Sequence, residues 1–158
     1  LCRTPGAVKE AQDVNLSIQF AGLQELLLKL MAYSSASTRA MVLGMERALI
    51  FVHSAIPDYP PKPPTSKYRR TMTLWRSITT KTHPLSWSGI ETGFGEVRGY
   101  VGTKVKYARW VIDRDRQAWF HRQNGWWTLQ DVIEDNQDRI VVEYSTGFFK
   151  ALADGLGL

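Results

Sequence analysis

The chain has 158 residues, 44% of them hydrophobic and 22% charged, which fits one globular domain able to bury a core without disulfide or metal staples. Its one cysteine, Cys2, excludes an intramolecular disulfide; no run of ~18 apolar residues predicts a membrane span; and LCRTPGAV lacks the apolar segment of a signal peptide. The net charge of +5 is uneven: residues 57–70 carry four Lys/Arg against one Asp, residues 104–122 six against two acids, and residues 128–158 two against six acids, a polarity that suits head-to-tail contact between like subunits.

Residues 1–12 show no periodicity and are expected to form a flexible or partner-bound tail. Val14, Leu16, Ile18 and Phe20 alternate with polar residues, the period-two pattern of a half-buried strand. After Gly22, the residues Leu23, Leu26, Leu27 and Leu30 stand at helical spacing and predict a short amphipathic helix to about Ala32. A longer helix is predicted over 37–56, with Met41, Met45, Ala48, Leu49, Val52 and Ile56 on one face. Ser35 or Ser37 suits its N-cap, and Pro57 ends it, since proline disfavours a helical residue before it.

The next stretch, Tyr59 to Ile78, holds four of the seven prolines and five positive charges. Fixed φ angles and missing amide donors predict an extended, partly polyproline II arm over residues 57–70. Met72, Leu74, Arg76 and Ile78 alternate with Thr71, Thr73, Trp75 and Ser77, which fits a strand or a short helix, with the strand preferred. Segments 85–92 and 96–103, split at Gly93-Phe94-Gly95, are expected to pair as an antiparallel hairpin. YARWVI (107–112) continues as a strand or turns toward a helix, and residues 113–127 are loop-like, with Gly125 closing a turn. Thr128 and Asp131 form a capping-box pattern, after which Leu129, Val132, Ile133, Ile140, Tyr144 and Phe148 continue as one helical face to about Leu152. The whole reads as an α+β fold: an antiparallel sheet packed with a long N-terminal helix and a C-terminal helix, with an extended Pro-rich arm, in a single domain 1–158.

Candidate chemistry is sparse. His53, His83 and His121 fall in no metal-ligand spacing, so no metal or cofactor is expected. Asp113, Asp115 and His121 supply an acid and an imidazole within a few residues, but DRDR reads first as a solvated charge run, and no enzyme activity is expected. Gly93, Gly95, Gly99 and Gly102 lie in strands and turns rather than before a helix, as a phosphate cradle requires. Lys62, Tyr68, Arg69, Arg70, Trp75 and Arg76, together with Trp119 and Arg122, mix aromatic and cationic residues. That mixture is the composition of protein-interface hot spots, and secondarily of surfaces that stack exposed bases.

The runs YPPKPPTSKYRRTMTLWRSIT, VRGYVGTKVKYARWV and WFHRQNGWWTLQDVIEDNQDRIV, in that order, resemble tailed-phage tail-component or head–tail joining proteins, also described as tail-completion or neck proteins. Arg69, Arg70, Thr71, Leu74 and Ser77 match that family's R-R-T-G-x-L-x-x-S segment, with Met72 where a glycine is common. Val101, Gly102, Thr103, Val105, Tyr107 and Ala108 match its V-G-T-x-V-x-Y-A segment. The likeness spans about residues 14–152. It implies an α+β subunit of a homo-oligomeric ring, often a hexamer, in the virion neck. The implied partners are a portal adaptor or stopper, the tail terminator or tail tube, and double-stranded DNA passing through the lumen. It implies no catalytic residues and no membrane. A tail-terminator ring capping the tail tube, and a basic nucleic-acid-binding module, remain the alternatives.

Overall fold

A computed structural model describes residues 14–18, 35–67, 70–93 and 96–156. In chain order the elements are β1 (Val14–Ile18), α1 (Ser35–Ala55), α2 (Thr73–Thr79), β2 (Ser86–Gly93), β3 (Glu96–Thr103), a 3-10 turn (Ala108–Trp110), α3 (Trp119–Gln123), α4 (Leu129–Asp135) and α5 (Gln137–Leu156). The fold is α+β. The expected tail at 1–12 and the leucine-rich helix to Ala32 lie outside the described residues.

The sheet is antiparallel with β3 in the centre, in the order β1-β3-β2. Gly93 stands opposite Glu96 and Ser86 opposite Thr103, so the hairpin expected from the turn residues forms with a two-residue link. β1 pairs with the other edge of β3, Val14 opposite Thr103 and Ile18 opposite Gly99.

Helix α1 lies directly on β3. A Cβ at Gly99 would fall 2.6 Å from Met45 Sδ and 3.1 Å from Leu49 Cδ2, so only glycine permits this approach. The apolar face of α1 is buried as its spacing requires: Met41, Met45, Ala48, Leu49, Val52 and Ile56 all lie in the core. Helix α5 runs antiparallel to α1. Ala36 faces Gly155, Gly44 faces Gly147, and Arg47 Nε reaches Glu143 Oε2 at 2.7 Å. The two glycines set the closest approach, since a Cβ on Gly147 would lie 3.0 Å from Gly44 Cα. Phe148, buried from α5 beside this crossing, contributes ~1.5–3 kcal/mol by the usual transfer scale.

Four expectations are corrected. Thr71–Thr80 is not a strand. Met72 adopts φ 59, ψ 6, and the turn it makes starts α2, which buries Leu74, Ser77 and Ile78 at i, i+3 and i+4 while Arg76 points to solvent. The C-terminal helical face is two helices. The Asn136 side chain donates from Nδ2 to the Val132 carbonyl at 2.8 Å, closing α4 before α5 begins. Ser37 does not cap α1, because the helix begins before it at Ser35 and Ser37 is buried. Residues 119–123, expected to be loop-like with the rest of 113–127, form α3. The capping box forms as expected. Thr128 Oγ1 accepts from Asp131 N at 3.1 Å, and Asp131 Oδ2 accepts from Thr128 N at 3.2 Å.

Segments 70–77 and 101–108 meet in space. Ser77 Oγ and Thr103 Oγ1 lie 2.7 Å apart in a fully buried contact between α2 and β3. Thr103 Oγ1 also accepts from Val105 N at 3.1 Å and donates to Leu85 O at 3.2 Å. Leu74, Val101, Val105 and Ala108 join the core around this pair. Hydroxyls buried this deeply are tolerated because each has a partner.

Candidate functional site

The chain leaving α1 is sewn to its own subunit by indole and phenol groups. Trp75 Nε1 donates to Pro57 O at 3.1 Å, Trp127 Nε1 donates to Asp58 O at 3.3 Å, and Tyr59 OH accepts from Trp75 N at 2.9 Å. An Arg70 Nη1 donates to Pro60 O and so closes the proline stretch into a loop. Proline removes amide donors but leaves carbonyls as acceptors, and it is the carbonyls that are used here. The segment is a strap with an exposed crest, Pro61, Lys62, Pro64, Thr65 and Lys67, rather than a free rod.

Between this strap, the 3-10 turn and α3 lies a half-open cleft of about 510 Å³. Arg70 stands in it with its guanidinium carbon 5.8 Å from the Tyr59 ring centre and 5.2 Å from that of Trp126. Tyr59 and Trp126 themselves touch, their centroids 4.8 Å apart. A cation held against two ring faces is stabilised by their quadrupoles. His121 continues the stack, 5.0 Å from Trp126 and 4.3 Å from Phe120. Burial, and then the neighbouring Arg70 charge, lower the His121 pKa below 6.5, so the imidazole is neutral at neutral pH.

The mouth of the cleft is unusually apolar for a surface. Trp110 is 49% exposed, Phe120 46% and Tyr107 42%, and on the adjoining turn of α3 Trp119 is 70% exposed. The Arg109 guanidinium lies over Trp110 at 5.0 Å. Ile50 on α1 and Val142 and Phe149 on α5 are exposed as well.

The residues singled out from sequence distribute unevenly. Arg70 is at the heart of the cleft and Trp75 is half-buried as an anchor of the strap. Lys62 and Arg76 are exposed, and Trp119 and Arg122 are exposed on α3. Tyr68 and Arg69 lie outside the described residues. Tyr59, Met72, Tyr107, Trp110 and Trp126 line the cleft and were not singled out as site residues. Tyr107 and Trp110 lie in the YARW run, and the only hint of their exposure was that this run is aromatic on both sides of an arginine.

Asp113 and His121 each have local partners. Asp113 Oδ1 accepts from Asp115 N at 3.0 Å, a local turn, and His121 packs against rings. Arg114 between them pairs with Asp131 at 2.6 Å and with both carboxylate oxygens of Glu134 at 2.6 and 2.8 Å. The guanidinium lowers the Glu134 pKa, and the Thr128 hydroxyl, then Arg114, lower that of Asp131. Part of the basic 104–122 run is thus matched to the acidic C-terminal run within one subunit. No group of three metal-ligating side chains occurs among the described residues. No family model, curated protein or solved structure matches the chain.

Proposed function

We propose that the chain is a structural subunit of a tailed-phage particle, a ring-forming neck protein that joins head to tail and leaves a channel for DNA. The observation that carries an interaction role is the exposed aromatic and arginine surface around the cleft: Trp110, Trp119 and Phe120 in water, with Arg70, Arg109 and Arg122 among them. Large aromatic residues and arginine contribute most at protein interfaces, and a concentration of them on a surface marks a contact site. The neck assignment itself rests on the ordered sequence likeness. The segments on which that likeness rests share one buried joint, Ser77 with Thr103, and supply Arg70 and Tyr107 to one cleft.

The double substitution Trp119→Ala with Arg122→Glu tests this reading. Both side chains are exposed, so the fold and melting temperature are expected to change little. In a phage carrying this gene, filled heads and finished tails are expected to accumulate unjoined, with infectious titre down by orders of magnitude. Normal titre with the variant incorporated would count against the proposal.

A further inference from the structure

We propose that the cleft is a receptor for an acidic peptide segment of another protein, with one bulky apolar side chain as its anchor and a carboxylate set against Arg70. This deepens the reading above by naming what the site takes, and it rests on that reading only in treating the cleft as a protein-binding surface.

Charge complementarity selects the occupant. Among the described residues, Arg70 is the one formally charged residue lining the cleft, and no Asp or Glu lines it. Of the charged residues next in sequence to the lining, Lys62, Lys67, Arg69, Lys106, Arg109 and Arg122 are cationic, against one acid, Asp58 beside Tyr59. A basic segment is therefore repelled and an acidic one attracted. Arg70 is held in place before any ligand arrives, against the touching rings of Tyr59 and Trp126 and against Pro60 O. Pro60 O takes one of the five N–H donors of a guanidinium, whose planar fork matches a carboxylate. A side chain already fixed loses little entropy on docking.

The rest of the lining asks for an apolar group. Met72, Leu74, Val111 and Phe120 present side chains to the cleft, and Asn124 and Ser66 are among the polar members at its border. A volume of about 510 Å³ admits a large aromatic or aliphatic side chain with part of its backbone. The exposed rings of Trp110 and Tyr107 extend the apolar surface past the mouth, which suits a ligand that continues beyond its anchor, as a peptide does and a compact metabolite does not.

The test uses the full chain and fluorescein-labelled heptapeptides in an anisotropy titration. The probe is acetylated Ser-Asp-Glu-Trp-Asp-Glu-Ser amide, with one control in which the Trp is Ala and another in which every acid is Lys. The acidic Trp peptide is expected to bind roughly tenfold or more tightly than either control, as hot-spot contacts require. Trp110→Ala is expected to weaken it without lowering the melting temperature; Arg70→Lys is expected to weaken it too, since Lys keeps the charge but loses the fork, and to lower the melting temperature by a few degrees because Arg70 also ties the strap at Pro60 O. Equal binding of the lysine control, or unchanged binding by both variants, would overturn the proposal. So would competition by an unlabelled oligo-dT twelve-mer at equal concentration, which would assign the cleft to nucleic acid. Displacement of the peptide by self-association of the protein, followed by sedimentation, would overturn it in favour of a second copy. These outcomes are separate from the joining test: peptide binding with normal joining in the Trp119/Arg122 variant keeps the receptor and removes the neck role, and defective joining without peptide binding does the reverse.

Discussion

Met72 is the one non-glycine residue with positive φ among the described residues. A left-handed conformation costs an L-residue ~1–2 kcal/mol, which glycine avoids. Met72→Gly is therefore expected to be more stable than Met72→Ala by about 1 kcal/mol, the reverse of the usual order for these two residues. Chemical denaturation of the pair checks this, and an alanine variant at least as stable would contradict the φ. His53 gives a second residue-scale test. Its Nδ1–H donates to the Ile78 carbonyl at the end of α2, and its Nε2 is buried without a partner among the described residues. Burial is the main cause lowering its pKa below 6.5. The folded state then binds fewer protons than the unfolded chain, so stability is full above pH 6.5 and falls as pH drops below it. His53→Asn keeps a donor for Ile78 O but cannot titrate, so the slope of stability against pH between about 6.5 and the folded pKa is expected to flatten, leaving the smaller slope that the lowered pKa of His121 contributes. An unchanged slope would show that His53 is not the group responsible. Neither environment was legible in the sequence, because a lone histidine on an amphipathic helix carries no mark of which carbonyl it will meet.

At the scale of elements, local signals read well where one pattern dominates. The α1 core face, the β2–β3 hairpin and the Thr128–Asp131 capping box were all written in spacing and turn residues. Segment 71–80 was not, because Leu74 and Ile78 satisfy both a period of two and a period of four. The choice was made by the backbone at Met72 and by Ser77 finding Thr103, a partner 26 residues away. The division between α4 and α5 depends on one side-chain amide, Asn136. The glycines of the α1–α5 crossing were invisible as packing devices until the two helices were seen together. A Cβ at Gly44 would lie 2.8 Å from the Tyr144 carbonyl oxygen. Gly44→Ala gains up to ~1 kcal/mol of helix propensity but forces the helices apart at ~1–3 kcal/mol, so a net loss of stability is expected. Thermal unfolding measures it, and a raised melting temperature would show that the helices separate at no cost.

For the molecule as a whole, composition marked residue types that suit a contact surface, while their placement came only with the fold. The mixture of proline, arginine and tryptophan pointed to residues 57–76 and 119–122, and Arg70, Trp119 and Arg122 do belong to the exposed aromatic surface or its cleft. The strap itself is tied back by Trp75, Trp127 and Arg70, since hydrogen-bonding to carbonyls across 18 and 69 residues cannot be inferred from local composition. Charge polarity along the chain is likewise partly consumed inside the subunit by Arg114 with Asp131 and Glu134. Under the proposed reading, the rim of the cleft is what meets a partner. The most direct measurement is an electron cryomicroscopy reconstruction of the neck of phage particles made with this protein. The account predicts copies of the chain in a closed ring about the DNA channel, with Trp119 and Arg122 covered by protein. Finished particles that lack the chain, or a ring whose Trp119 surface faces only solvent, would contradict it.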